Sequence, residues 1–199
     1  RRFWIHAQTT DKLMMLATDG RFFTLDCSKL PGGRGNGEAI RSFIDLPPDA
    51  DVAAMFVHVP GRKLLLAATS GHGFVTAEDD AIAMTKNGKR VMNVKPGIEA
   101  IVARPLEGDH VAVVGENRKL LIFALSEVPE MARGQGVYLQ RYKDGTLLDA
   151  VAFVWKKGLM DENNRSFPAP DLKEWKGERS QAGRIVPRGW AKSGKFAAV

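Results

Sequence analysis

The chain has 199 residues, 44% of them hydrophobic, and its 29 Lys and Arg against 23 Asp and Glu give a net charge of +6. This composition can bury a core and excludes a chain disordered throughout. A single cysteine, Cys27, excludes an internal disulfide framework and favours a reducing, cytoplasmic location, and no apolar run approaches the roughly 20 residues of a membrane span or a signal segment.

The positive charge is distributed unevenly along the chain. Residues 1–80 hold 9 Lys and Arg against 10 Asp and Glu, residues 81–155 hold 10 against 8, and residues 156–199 hold 10 against 5. The net charge therefore rises from −1 to +2 to +5 toward the C-terminal end. An anionic partner is expected to bind most strongly to the later part of the chain.

Four segments share one layout, in which a β-rich run, a turn and a second β-rich run follow each other. They are residues 12–25, 62–76, 110–125 and 149–167, and their turns are marked by Gly20, Gly71, Asn117 and Asn163. The markers are 51, 46 and 46 residues apart. A period in this range indicates a repeat array such as a propeller.

A loop containing glycine and basic residues follows each hairpin. These basic loops are residues 32–38, 86–91, 132–137 and 178–184, and a further β-like segment is expected after each, as in "AIRSFIDLP" (39–47) or "GVYLQRY" (136–142). Sustained helical periodicity is absent, although "PDLKEWKGER" (170–179) is compatible with one short helix. The sequence predicts a single all-β domain with about four strands per blade, in repeats at roughly 3–50, 51–97, 98–145 and 146–199.

At these segments the chain resembles the C-terminal β-pinwheel domain of the bacterial topoisomerase IV A subunit, which is related to that of gyrase A. The resemblance covers essentially the whole chain and is carried by "ATDGRFFTLDCSKLPGGRGNGEAI" (17–40), "KLLLAATSGHGFV" (63–75), "LLIFALSEVPEMARGQGV" (120–137) and "LKEWKGERSQAGRIVPRGW" (172–190). It implies a type II topoisomerase domain that binds and bends duplex DNA during strand passage, decatenation and supercoil relaxation. It also implies that catalysis, Mg²⁺ and ATP belong to other domains and to the B subunit, in a nucleoid-associated enzyme without a membrane partner.

Two departures from the family pattern modify these expectations. Gyrases carry an uninterrupted Gln-Arg-Arg-Gly-Gly-Arg-Gly box, whereas "PGGRGNG" (31–37) keeps the glycines and one arginine, so gyrase-like chiral wrapping is not expected. The chain also begins at a strand that would open the second blade in the family. A first blade is therefore expected to be absent or to lie outside the chain, which would leave an incomplete ring.

The basic loops and the segments after them supply the candidate DNA-binding residues. Glycine permits positive φ and close approach of backbone N–H groups to phosphate, while Lys and Arg gain affinity by releasing counterions. The candidates, expected to recur at one position of the repeat, are Arg34, Lys86, Lys89, Arg90, Arg133, Arg141, Lys143, Arg179, Arg184, Arg188 and Lys192. For each residue alone, a solvated surface charge is an equally good interpretation.

Other chemistry has little support in the sequence. Arg141-Tyr142 is the order of residues at a topoisomerase breakage tyrosine, but no acidic metal cluster is close to it, so we interpret it as part of a strand. The four histidines lack metal-ligand spacing, and the four tryptophans are expected to pack in or between blades. Two alternatives remain open: a gyrase A domain with a degenerate box, and a propeller used as a protein-interaction platform.

Overall fold

The structure is a computed structural model that describes residues 3–198. Within these residues all regular structure is β-strand or short 3-10 helix. The longer strands are β1 (Lys12–Ala17), β2 (Arg21–Asp26), β3 (Val52–Val57), β4 (Lys63–Ala68), β5 (His72–Ala77), β7 (Ala100–Pro105), β8 (His110–Gly115), β9 (Lys119–Ala124) and β11 (Leu147–Phe153). Two-residue strands are β6 (Lys89–Arg90), β10 (Val137–Tyr138), β12 (Leu159–Met160), β13 (Ser166–Phe167) and β14 (Arg184–Ile185).

Three four-stranded antiparallel sheets form the domain. Their strand orders are β3-β1-β2-β6, β7-β4-β5-β10 and β11-β8-β9-β14, and β12 and β13 form a separate two-stranded ribbon. The all-β prediction with four strands per blade is confirmed for these three sheets, which do not close into a ring.

The central strands are apolar on both faces because each sheet lies between two cores. In β1, Leu13 and Met15 point into one core, whereas Met14 and Leu16 point into the next core together with Leu64 of β4. The second and third sheets alternate in the same way around a shared core. Successive side chains of a strand point to opposite faces, so the continuous apolar runs follow from stacking these sheets face to face.

Each sheet is assembled from segments that are far apart in the sequence. The hairpin β1–β2 receives β3 on its inner edge and β6 on its outer edge, although β6 follows the second hairpin in the chain. The other two sheets repeat this pattern with β10 and β14. The sheets therefore interleave along the chain instead of occupying the four contiguous ranges expected from the sequence.

The first three predicted hairpins are present, and the fourth differs. Residues 149–153 belong to β11, which pairs with β8 of the third sheet, and the fourth hairpin consists only of β12 and β13. Asn164 takes φ 62° in its turn, near the predicted position. The apolar run at 149–153 resembles a hairpin strand in sequence, but its pairing partner lies before it in the chain.

Two shorter predictions have different outcomes. Residues 39–47 were expected to be β-like, but they contain a 3-10 helix at Ile40–Ser42. Ile44 and Leu46 of this segment instead cover the outer face of the first sheet. The late helix is present as the 3-10 helix Ala169–Trp175, which covers the third sheet with buried Leu172.

The inner strands of the second and third sheets are joined by a partly buried ion pair. Arg104 Nη2 in β7 donates to Asp149 Oδ2 in β11 at 2.9 Å, and the same carboxylate oxygen accepts from Phe196 N at 3.1 Å. Burial raises the pKa of Asp149, while Arg104 and the backbone donors oppose that shift. The C-terminal segment is thereby fixed across the inner strands.

Candidate nucleic-acid interface

The three two-residue strands β6, β10 and β14 are the closing strands, each forming the outer edge of a sheet. Their pairing with β2, β5 and β9 defines equivalent positions in the three repeats. The first strand position is occupied by Lys89, Val137 and Arg184, and the second by Arg90, Tyr138 and Ile185. The basic loops lead directly into these strands. We call the segments 86–91, 132–143 and 178–192, which contain the loops, the closing strands and the residues after them, the outer rim. All the candidate residues except Arg34 belong to these segments.

A glycine precedes each closing strand at the same place. Gly88, Gly136 and Gly183 have φ values of +74°, +82° and +79°, and a Cβ atom at each would overlap the carbonyl oxygen of the strand beside it. Only glycine combines a left-handed backbone with this close approach. The spacing of these three glycines is therefore set by sheet assembly.

The sequence had led us to expect the cations at one recurring position of the repeat. The structure shows that they occupy different positions. Lys89 and Arg184 are equivalent to Val137, whereas Arg90 is equivalent to Tyr138 and Ile185. This expectation was wrong because the loops differ in length and the register is set by the backbone pairing. The positive charge belongs to the rim as a whole.

The candidate cations are available to a ligand. All eleven except Arg179 are exposed, and Arg179 is half-buried. The ion pairs within residues 3–198 use other side chains, so none of the eleven is paired with a described carboxylate. A rim of unpaired cations can attract an anionic polymer without first breaking internal salt bridges.

Three of the candidates donate side-chain hydrogen bonds to backbone carbonyls. Arg90 Nη1 donates to Asp19 O at 2.9 Å, Arg179 Nη1 donates to Tyr138 O at 2.9 Å, and Lys89 Nζ donates to Asp80 O. These side chains join a basic loop or closing strand to a neighbouring segment. Substituting any of them would remove a hydrogen bond that supports the backbone of the rim, in addition to removing a charge.

Arg34 is separate from the other candidates. It lies in the loop 32–38, where every residue is exposed and the glycines at 32, 33, 35 and 37 have no atom near their Cβ positions. No closing strand follows this loop among the described residues. The structure therefore does not bring Arg34 to a sheet edge with the later candidates.

Arg141 and Tyr142 have different environments. Tyr142 packs against the core between the second and third sheets and donates its hydroxyl to Gln140 Oε1 at 2.9 Å, and burial raises its pKa above the ordinary value. Arg141 is exposed, and its guanidinium lies 4.8 Å from the ring centroid of Tyr138. The interpretation of this pair as part of a strand was wrong, because β10 ends at Tyr138 and both residues lie in the segment after it.

Sequence reasoning missed Tyr138 in the rim and His72 and Lys95 beside it. Tyr138 pairs with His72 across the sheet, and exposed Lys95 lies close enough to His72 to help lower its pKa, an effect caused mainly by burial. His72 and Tyr138 are 66 residues apart, so only the assembly of β10 onto β5 brings them together. No local sequence signal could have identified this contact.

The sequence also raised metal ligands, Cys27 and the tryptophans as features to locate. No cluster of His, Cys, Asp and Glu suited to a metal is present in the described part of the chain, and burial raises the pKa of the Cys27 thiol. Trp190 is buried and Trp155 and Trp175 pack against the same core, as expected. The expectation was wrong for Trp4, which is 96% exposed. Within residues 3–198 no helix has the length and apolar character needed to cross a membrane.

The chain is similar to known domains and subunits of the gyrase and topoisomerase IV proteins. The family model described as the DNA gyrase C-terminal domain, beta-propeller, matches residues 62–103 and 109–154. The chain is 43% identical over 196 residues to the A subunit of DNA topoisomerase 4 from Caulobacter vibrioides and 39% identical to its counterpart from Rickettsia felis. Each alignment covers 98% of this chain and 26% of the relative, so the chain spans about a quarter of these proteins.

Solved structures show the same fold. The C-terminal domain of ParC from E. coli matches with a TM-score of 0.79 at 22% identity, covering 92% of this chain and 80% of that one. A gyrase A C-terminal domain matches with a TM-score of 0.69 at 15% identity, covering 91% and 64%. The three open sheets are thus a β-pinwheel.

Proposed function

The chain belongs to the family of C-terminal domains found in gyrase A and in its topoisomerase IV counterpart, and from this premise we propose that its rim binds and bends duplex DNA. The observation that carries the proposal is the set of exposed rim cations without a carboxylate partner among the described residues. Duplex DNA carries one negative charge per about 1.7 Å of axis, so such a rim can follow its backbone.

The contacts are expected to involve phosphates more than bases. The rim presents Lys and Arg on loops and two-residue strands, without a helix that could enter a major groove in the described part. Binding should therefore be largely independent of sequence. A rim formed by successive sheets would favour bent DNA, and bending a site of 20–30 bp costs about 1–6 kcal/mol that distributed phosphate contacts must offset.

Within a topoisomerase IV holoenzyme, this domain would hold a DNA segment for transport. It would thereby guide strand passage, decatenation and supercoil relaxation, together with the other domains of its own polypeptide and with the B subunit. DNA cleavage, Mg²⁺ and ATP hydrolysis would take place outside residues 1–199. The corresponding location is the cytoplasm, in association with the nucleoid.

Gyrase-like chiral wrapping is the less favoured form of this function. The loop 32–38 is the nearest counterpart of the gyrase box, and it is exposed and carries one cation, Arg34. A single cation contributes little electrostatic affinity for a duplex at this loop. A topology assay that detects no positive wrapping by the chain would support the bending role.

The test is a fluorescence-anisotropy titration of a short linear duplex across a salt series. The rim variant reverses four exposed cations that have no side-chain hydrogen bond within the described residues: Arg133→Glu, Arg184→Glu, Arg188→Glu and Lys192→Glu. Arg179 is left intact because it anchors Tyr138. The matched control reverses four exposed lysines on the 3-10 helices: Lys29→Glu, Lys156→Glu, Lys157→Glu and Lys173→Glu.

Loss of four phosphate contacts should flatten the slope of log K against log salt by about 3–4. The control has the same net charge, so it should keep most of the slope if the rim is the contact surface. Equal slopes in the wild type and the rim variant, or negligible binding at low salt, would contradict the proposal. The interaction-platform alternative would then be favoured.

A further inference from the structure

Three side chains form a stack on the outer edge of the middle sheet. His72 in β5 and Tyr138 in β10 are cross-strand partners with ring centroids 4.0 Å apart, and the Arg141 guanidinium lies 4.8 Å from the Tyr138 centroid. Ser70 Oγ is 2.8 Å from His72 Nδ1, which fixes the orientation of the imidazole. His72 therefore supports the Tyr138 ring, and the Tyr138 ring in turn supports the Arg141 guanidinium.

Arg141 is restrained without using its hydrogen-bond donors. Its guanidinium contacts the Tyr138 ring, and it has neither a carboxylate partner nor a side-chain hydrogen bond within residues 3–198. Arg90 and Arg179, in contrast, each donate to a backbone carbonyl. A planar guanidinium held on a ring keeps its fork of donors ready for a phosphate and loses less side-chain entropy on binding.

The stack lies where the middle closing strand meets the following basic loop. Arg179 Nη1 in that loop donates to Tyr138 O at 2.9 Å, and Arg141 N donates to Gln181 O at 3.3 Å. The backbone from Tyr138 to Arg141 is thus fixed by the next repeat. Arg141 is anchored at both its backbone and its guanidinium.

The other two sheets lack this arrangement. The position of the His72–Tyr138 pair is occupied by Arg21 and Arg90 in the first sheet, and by Lys119 and Ile185 in the third. Neither pair offers an aromatic ring on which a guanidinium can stack. The stack is therefore a feature of the middle sheet and not a consequence of the repeat.

We propose that Tyr138 is a positioning residue whose ring, backed by His72, holds Arg141 ready to contact a DNA phosphate. This inference rests on the proposed DNA-binding function and identifies which rim cation contributes most at the middle sheet. The predicted ligand is the phosphodiester backbone of duplex DNA. Tyr138 acts through Arg141 and needs no contact of its own with the DNA.

The experiment uses a 20-bp linear duplex and anisotropy titrations across a salt series. Arg141→Gln should lower the affinity about tenfold, and the neighbouring exposed cation Lys143, changed to Gln as the control, should lower it about threefold or less. Tyr138→Leu should lower the affinity by about three- to tenfold. Tyr138→Phe keeps the ring and should bind like the wild type.

Two readouts separate positioning from a general structural effect. Arg141→Gln removes one phosphate contact and should flatten the salt slope by about 1, whereas Tyr138→Leu keeps the charge and should leave the slope unchanged. The double variant of Tyr138→Leu and Arg141→Gln should bind no more weakly than Arg141→Gln alone, because Tyr138 acts only through that arginine.

His72→Gln is a second variant in case Tyr138→Leu disturbs the fold, which thermal unfolding will show. It removes the ring packed on Tyr138 and should lower the affinity in the same direction without changing the slope. Equal losses in Arg141→Gln and Lys143→Gln, or a further loss on adding Tyr138→Leu to Arg141→Gln, would overturn the positioning role. A wild type with no salt-dependent binding would overturn the proposed function itself, so the two failures are distinguishable.

Discussion

The basic loops at residues 32–38 and 132–137 have similar compositions, but only the second is built into a sheet. Gly136 lies against the backbone of Gly73 and leads into β10, which pairs with β5 of the second sheet. A Cβ atom added at glycine 32, 33, 35 or 37 would contact nothing. Glycine in the packed loop is thus required by backbone geometry, and glycine in the open loop is not.

The two loops therefore have different roles, although both are rich in glycine and contain an arginine. In the packed loop, glycine allows the sheet to assemble, and Arg133 lies on a backbone that is fixed beside a defined edge. In the open loop, Arg34 must lose the conformational freedom of its loop before it can hold a phosphate. We therefore expect the packed loop to contribute more to both stability and DNA binding.

The largest contrast should appear in stability after Gly→Ala substitution. Gly136→Ala places a Cβ against the carbonyl of Gly73 at φ +82°, so we expect a loss of about 2 kcal/mol or more in the free energy of unfolding. Gly33→Ala in the open loop should change it by less than about 0.5 kcal/mol. Urea unfolding measures both, and equal effects would show that the two loops do not differ in packing.

The second contrast concerns DNA affinity. Arg133→Glu in the packed loop should weaken binding of a short duplex by about 1.4 kcal/mol, or roughly tenfold, because it removes a cation from a loop with a fixed backbone and adds repulsion. Arg34→Glu should weaken binding by about threefold or less. The two variants carry the same net charge, so anisotropy titrations compare the loops directly. A larger loss for Arg34→Glu would indicate that the open loop is the principal contact.

A smaller effect is expected from pH at the edge beside the packed loop. The pKa of His72 is lowered, chiefly by burial and also by Lys95, so the unfolded chain binds a proton at a pH where the folded chain does not. Stability should therefore be complete above about 6.5, the ordinary pKa of histidine, and decrease as the pH falls below it. Thermal unfolding between pH 8 and 5 should show a steeper decline for the wild type than for His72→Gln. Parallel curves would exclude a contribution from His72.

The smallest effect should come from the ion pair on the approach to the packed loop. Lys63 Nζ and Glu130 Oε2 are 2.9 Å apart and both side chains are about half exposed. Because solvent screens such a pair, Lys63→Met should change the free energy of unfolding by less than about 0.5 kcal/mol. A loss comparable to that of Gly136→Ala would mean that this ion pair, and not backbone packing, anchors the loop.

The sequence predicted the hairpins better than their assembly. The turns at Gly20 and Gly71 follow from local turn chemistry and from apolar runs on either side. The closing strands contain two residues each, which is too short for any periodic signal, and their partners lie more than 60 residues away. Likewise, β11 pairs backward with β8, which a hairpin pattern cannot reveal.

The candidate interface was predictable in composition but not in arrangement. Loop patterns identified Arg133, Arg184 and Arg188 as exposed basic residues, and the structure places Arg184 on a closing strand and Arg133 in the loop that leads into one. The contacts that distinguish one cation from another, such as Tyr138 under Arg141, depend on pairing between distant strands. Local sequence therefore indicates where positive charge accumulates, and tertiary packing determines which charge is held in place.

Amide chemical-shift mapping on the 199-residue chain, titrated with a short linear duplex, would locate the DNA most directly. We predict that the largest shifts lie in residues 132–143 and 178–192, with smaller shifts near Arg34 and little change on the 3-10 helices that carry Lys29, Lys156 and Lys173. Shifts concentrated on those helices or on the inner strands β3, β7 and β11 would contradict the assignment of the outer rim as the DNA-binding surface.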